Sequence, residues 1–396
     1  PNLARRRVYG PLASVVGSAR VGSARTSALP TEDPARSVYT PTFRTPTFAP
    51  RLSHPDVLSS VYCLCLLMPI RRRLLRSLFL LGIAIAAVAC MPTAAAAQGY
   101  FDQYEIEDLL TRRAGNLDSL PEVYYEYLVF DHPSGNSVVA RNRLYEQLGN
   151  GEMDLGHKRA QLIELLNRVT IENVALGDTL VVPTEFGLDL RAYSPFPRYY
   201  PGARSVEKLF IIHKTIQAFA AYEHGKLARW GIVNTGNPDS TATPNGRFNF
   251  NWKEESRVST LSPPDEEWEM HWVVNFHAAR GIHVHQYAMP TGGPTSHGCV
   301  RMVDIDAKWV YNWADTWDTT RGDIGPQSAQ GRLKQPGSMV LVLGEDPRTN
   351  RPQPFEYKNR YPVLKRVHLP TDPYSVAPGT GQQEMWDRLR KRQASR

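Results

Sequence analysis

The octapeptide Thr295-Ser296-His297-Gly298-Cys299-Val300-Arg301-Met302 decides how the rest of the chain is read. A free cysteine is most often a small core hydrophobe, but this one is flanked by His, Gly and Arg. Upstream, Gly281-Ile282-His283-Val284-His285-Gln286 alternates with a period of two. In a strand that pattern turns His283 and His285 to one face and Ile282 and Val284 to the other. The thiolate is the reactive form of cysteine, and a thiol with a pKa of about 8.5 needs a cation or a helix N-terminus to supply it at neutral pH. A Cys/His pair with the base held by a third acceptor is the general arrangement of nucleophilic catalysis. Gly298 lets the chain turn so that N–H groups around Cys299 face a developing oxyanion. Zinc held by His283, His285, His297 and Cys299 is the competing reading, although the spacing is not a common zinc pattern.

Around this stretch the sequence is strand-rich. Apolar runs at Leu209–Ile212, Ala218–Tyr222, Ala228–Val233, His271–Asn275, Gly281–Gln286 and Met339–Leu343 predict strands, with a turn at Glu223-His224-Gly225-Lys226. One helix is predicted, at about 304–316, with Asp304 as its cap and Ile305, Trp309 and Trp313 on one face. Its N-terminus is the second expected source of thiolate stabilisation.

These motifs together resemble the L,D-transpeptidase catalytic domain, the YkuD-like family. The resemblance rests on the Gly281-Ile282-His283 segment and on Ser296-His297-Gly298-Cys299-Val300-Arg301, thirteen positions after His283. It is supported by Thr235-Gly236 followed by Thr243-Pro244-Asn245-Gly246-Arg247-Phe248, and by the opening strand pair. It covers about 140 residues. It implies a mainly β chain: a β-sandwich or barrel-like catalytic domain of the L,D-transpeptidase type, with a short helix after the Cys motif, preceded by a small mixed α/β N-terminal region. The implied reaction is peptidoglycan crosslinking or protein attachment, with consequences for cell-wall organisation and cell shape. Cys299 is then the nucleophile that attacks the diaminopimelate carbonyl of a donor stem tetrapeptide and releases D-Ala, and an amine acceptor resolves the thioester. His283 is the implied base, with His285 as second choice because Val284 stands where the family often has Gly. His297, Gly298 and Ser296 are the implied oxyanion and loop supports. Arg301, with His285 beside it, is assigned to substrate binding. The resemblance requires no metal and no cofactor, and it makes peptidoglycan stem peptides the partner. The competing functions are an L,D-carboxypeptidase or peptidoglycan hydrolase on the same fold, and a non-catalytic cell-wall-binding protein. The stretch Glu254–Met270 is expected to form a lid or acceptor groove.

The flanks divide by composition. Residues 1–67 are rich in Arg, Ser, Thr and Pro and read as an over-extended or disordered leader. Residues 68–97 read as a signal peptide: Arg71, Arg72, Arg73 and Arg76 precede an apolar run, and Ala95-Ala96-Ala97 follows. Translation is therefore expected to start at Met68, with export to the periplasm or cell envelope. The alternative is membrane anchoring facing outward, either through the uncleaved segment or through a lipid at Cys90, so membrane contact is confined to these routes. Residues 98–204 form the N-terminal region. Its helix and strand at 158–183 resemble the second half of a LysM peptidoglycan-binding module, which would add glycan strands as partners; a plain helix–turn–strand of another small domain fits as well. The catalytic domain spans 205–346, and 347–396 is a Pro-rich, basic tail with a short terminal helix.

The net charge of +7 follows the same division. Residues 1–97 hold 12 Lys and Arg against 3 Asp and Glu, whereas the remainder holds 34 against 36. The basic balance belongs to the leader, so no nucleic-acid partner is expected. Of four cysteines, Cys299 is the one expected to survive in the mature protein.

Overall fold

The computed structural model describes residues 103–395 except 104, 105, 113, 114, 290–292, 348, 350 and 359. The expected leader and signal peptide, with Cys63, Cys65 and Cys90, lie outside the described residues.

In chain order, α1 (Glu107–Thr111) leads to β1 (Tyr125–Val129), α2 (Ser137–Leu148), α3 (Met153–Asn167) and β2 (Thr179–Pro183). Then come β3 (Lys208–His213), β4 (Ala218–Glu223), β5 (Lys226–Ile232), β6 (Gly246–Asn249), β7 (Lys253–Val258), β8 (Glu269–His277), β9 (Ile282–Gln286) and β10 (Val300–Met302). After α4 (Asp304–Trp313) follow β11 (Asp318–Thr319), β12 (Leu333–Gln335), β13 (Met339–Leu343), β14 (Phe355–Tyr357), β15 (Pro362–Leu364) and α5 (Gly381–Ala394). The chain is mainly β, as expected.

Two sheets build the site. A five-stranded sheet runs β5-β4-β3-β13-β6, with β3 and β13 parallel and the other neighbours antiparallel. A four-stranded sheet runs β10-β9-β8-β7, with β9 and β10 parallel. Phe210, Ile212, Phe219, Val340 and Val342 of the first pack with Val274, Phe276, Ile282, Val284 and Val300 of the second in one buried cluster. The opposite face of the five-stranded sheet is buried too: Leu209, Ile211, Ala220, Tyr222 and Leu341 join a second cluster. Burial on both faces explains why β3, β4 and β13 are continuous apolar runs rather than alternating ones.

The N-terminal region supplies the second cover. Leu162, Leu165 and Leu166 of α3, Val181 of β2 and Leu109 and Leu110 of α1 belong to the same cluster as Leu209 and Ile211. β1 and β2 pair antiparallel around α2 and α3, which gives the helix and strand predicted at 158–183 a preceding strand and helix of their own. The tail also engages this core through Phe355 and Val367. α5 is tied back by a bidentate pair between Arg247 and Asp387.

Two local expectations change. Asp304 does not cap α4: the cap position is Val303 and no side chain caps it, while the Asp304 carboxylate accepts from Trp272 Nε1 at 2.9 Å. The face of α4 that enters the core carries Asp306, Ala307 and Val310, whereas Trp309 and Trp313 stack on one another at 5.2 Å and stay half-buried. Asp306 is held inward by its buried ion pair with Arg229.

Candidate active site

β9 and β10 lie side by side in parallel, with Val284 opposite Val300 and His285 opposite Arg301. That pairing carries the His strand beside the residue preceding Val300, which is Cys299. The thiol Sγ lies 3.6 Å from His283 Nδ1 and 3.7 Å from the Gly281 carbonyl oxygen. Ile282 and Val284 point into the core, while His283 and His285 both line a cavity of about 320 Å³ that also contains Cys299, Ser296, His297 and Arg301.

The Cys loop is held by a hydrogen-bond lattice. Ser296 Oγ accepts from the Gly298 N–H at 3.1 Å and donates to the Cys299 carbonyl. Thr243 Oγ1 donates to the Gly298 carbonyl at 2.8 Å and accepts from the Gly236 N–H at 2.9 Å. Thr241 Oγ1 donates to the Ser296 carbonyl, and the Ser296 N–H donates to Thr235 O. Gln217 clamps Thr235 from the other side, accepting from its N–H and donating to its hydroxyl, each at 2.8 Å. A Cβ on Gly236 would sit 2.1 Å from Thr241 O and 2.8 Å from Gly298 Cα, so only glycine lets these segments meet. Gly298 itself has φ +113.

This lattice alters one expectation. The Gly298 N–H is spent on Ser296, so the donor left for an oxyanion is the N–H of Cys299, which has no partner among the described residues. The α4 N-terminus is not at the thiol: the three-residue strand β10 stands between them, roughly 10 Å of extended chain. The Asp304 N–H of that terminus donates to Gln103 Oε1 instead.

Two histidines of the site, His283 and His285, are buried, while Cys299 is partly exposed to the cavity. Burial pushes the His283 imidazole down to about 3, aided by His285 and Arg257. Burial likewise raises the Cys299 thiol, partly offset by the backbone N–H of His283 and by Arg301. Both directions favour the neutral thiol–imidazole pair over a thiolate–imidazolium pair. A neutral imidazole accepting at Nδ1 carries its proton on Nε2. That atom is buried with no hydrogen-bond partner among the described residues, and the ring instead meets Trp252 edge-on at 5.1 Å. Packing, not a third acceptor, orients the base. His285 is also buried and pushed down to about 4, chiefly by burial, and its Nδ1 is paired with Gln286 O at 2.8 Å.

A resting neutral pair has a direct kinetic signature. A raised thiol pKa means that the thiolate fraction keeps rising with pH beyond the ordinary thiol range. Alkylation of Cys299 by iodoacetamide should therefore be slow at pH 7 and accelerate about tenfold per pH unit to above pH 9. Mass spectrometry of timed samples reads this, and a rate already flat at pH 7 would indicate a preformed ion pair.

The remaining expected residues are also placed. His297 is exposed and stacks on Trp268 at 5.6 Å. The Arg301 guanidinium lies 4.8 Å from the Tyr287 ring centre. β7 and β8 form a hairpin whose loop brings Ser259, Thr260, Leu261 and Trp268 to the cavity wall, the position expected for a lid. Gln217, Trp252 and Arg257 carry no motif that marks them in the sequence. Each acts across strands far apart in sequence, and the one local hint is Gln217 as a polar residue between two apolar runs.

Fold and site together describe a two-sheet β domain with a Cys/His pair in a walled cavity. Residues 207–342 match the family model of the L,D-transpeptidase catalytic domain, YkuD. Solved L,D-transpeptidases align with the chain at low identity. The one from Xylanimonas cellulosilytica is 20% identical, covering 56% of this chain and 99% of that one, with a TM-score of 0.31. The one from Stackebrandtia nassauensis is 20% identical, covering 55% and 98%, with a TM-score of 0.31. L,D-transpeptidase 3 from Mycobacterium tuberculosis, solved with a faropenem-derived adduct, is 17% identical, covering 43% and 75%, with a TM-score of 0.26. Against another solved relative, LdtMt1 in complex with imipenem, the match is 18% identical with a TM-score of 0.27, covering 35% of this chain and 59% of that one. No curated protein matches the chain.

Proposed function

We propose that this chain is a peptidoglycan L,D-transpeptidase with Cys299 as nucleophile and His283 as general base. The observation that carries the reading is the 3.6 Å approach of Sγ to Nδ1 inside a cavity walled by Arg257 and Arg301. Sγ attacks the diaminopimelate carbonyl of a donor stem tetrapeptide as its proton passes to His283 Nδ1. The Cys299 N–H stabilises the oxyanion. Collapse breaks the amide bond, and the leaving D-Ala amine takes the proton from His283. An acceptor amine then attacks the thioester, gives its proton to His283, and restores the thiol as the new amide forms. With the thiol and imidazole both neutral at rest, proton transfer accompanies attack. Arg301 offers a guanidinium to a substrate carboxylate, and Arg257, paired with Glu254 at 2.9 Å, lines the hairpin side. If residues 68–97 act as a signal peptide, this work is done outside the cytoplasmic membrane.

The test is incubation with a defined diaminopimelate tetrapeptide donor and an amine acceptor, followed by mass analysis. Release of D-Ala with crosslinked dimer is expected. D-Ala release with hydrolysed tripeptide alone would mean an L,D-carboxypeptidase, and no release would reject both.

A further inference from the structure

A second cavity, of about 370 Å³, adjoins the catalytic one. The two share Ala278 and Ala329 in their walls. Their chemistry differs sharply. The catalytic cavity is lined by Arg257, Arg280, Arg301 and three histidines. None of the described residues lining the second is charged or titratable; they combine the carboxamides of Asn249, Asn251, Gln382 and Gln383 with the indoles of Trp317 and Trp386. Gln382, Gln383 and Trp386 come from α5, so the terminal helix forms one wall.

Such a lining excludes a carboxylate or an amine as preferred occupant, because an ion entering here gains no countercharge for its lost hydration. It suits a neutral ligand with many hydrogen-bonding groups and an apolar face. The amide side chains both donate and accept. Asn249 and Asn251 are fixed by their Nδ2 atoms, to Gly337 O at 2.7 Å and to Asn275 Oδ1 at 2.8 Å, which keeps these acceptors in fixed positions. Trp317 is buried, its Nε1 donating to Ser328 Oγ at 2.8 Å, so the partly exposed indole of Trp386 is the one whose negative face can meet the weakly positive C–H bonds of a sugar ring. The volume lies in the range of small-ligand sites, roughly 300–1,000 Å³.

We infer that this cavity binds a neutral acetamido sugar, a unit of the glycan that carries the stem peptide processed at Cys299. The inference rests on the proposed function for the identity of that sugar. The charged cavity takes the peptide with its carboxylates and amine; the neutral one takes the uncharged glycan portion across the sill at Ala278 and Ala329.

Calorimetric titration of the full chain with N,N′-diacetylchitobiose tests the site without turnover. The wild type should bind, and Trp386→Ala and Gln382→Ala should each weaken the affinity at least tenfold, with thermal unfolding as the check on folding. Should the Trp386 change release the terminal helix, Gln382→Ala carries the test alone, because that residue is half-exposed in the first turn of α5. Absence of binding, or an affinity unchanged in a folded variant, overturns the inference; the second outcome would place the sugar elsewhere in the chain. Sugar binding of the expected pattern without D-Ala release from the tetrapeptide donor would reject the proposed activity while leaving the sugar site standing.

Discussion

Cys299→Ala is expected to lower tetrapeptide turnover by roughly 10³-fold or more, the scale seen when a catalytic nucleophile is removed, and to abolish the covalent adduct formed with a carbapenem. The strained lactam carbonyl needs only a nucleophile within reach, so adduct mass reports on the sulfur apart from donor recognition. Cys299 is the one free cysteine among the described residues. An adduct that survived the change would assign the chemistry to another residue. The choice of base is separable in the same assay. His283→Ala should slow adduct formation about 10²- to 10⁴-fold, the usual value of a positioned proton acceptor. His285→Ala should do much less, since its Nδ1 is engaged with Gln286 O rather than with the sulfur. The reverse ranking would transfer the role of base to His285.

The largest stability effect is expected at a buried ion pair beneath α4. Arg229 Nε meets Asp306 Oδ1 at 2.5 Å, with side-chain exposures of 6% and 0%. Trp309 covers the guanidinium, its ring centre 5.3 Å away. Removing either partner strands a charge where water does not reach, so Asp306→Ala or Arg229→Ala should cost about 3–5 kcal/mol. Replacing both by hydrophobic residues of similar volume should recover most of that loss. Urea unfolding of the two single variants and of the Arg229→Met/Asp306→Leu double variant measures this. Single variants as stable as the wild type would show that the pair is dispensable.

What the sequence reveals depends on how locally each feature is encoded. The run Met339–Leu343 is apolar at every position because both its faces are buried, and it stands as a strand with those same bounds. The hairpin turn at His224-Gly225 is legible because two successive residues with φ of 47 and 74 demand turn chemistry. The Cys/His approach follows from one parallel strand pairing. By contrast, α2 is hard to read because the exposed Val138 and Val139 blur the period of its buried Ala140, Leu144 and Leu148. The Gln217–Thr235 clamp and the Trp252 contact with His283 join segments that only the tertiary fold brings together. The cap of α4 was misplaced because an Asp at a helix start reads as a cap whether it stands at that position or one residue inside.

The five-stranded sheet, buried on both sides, ties the flanks to the chemistry. Arg168 follows α3 as its C-terminal cap, and its buried side chain donates to Ile216 O, one residue before Gln217. Gln217 grips Thr235, and Thr235 O receives the N–H of Ser296 in the Cys loop. The N-terminal helices and the loop that carries the nucleophile are therefore joined by a short run of directional hydrogen bonds, so a substitution that displaces Arg168 is expected to reach the Cys loop through Gln217 and Thr235.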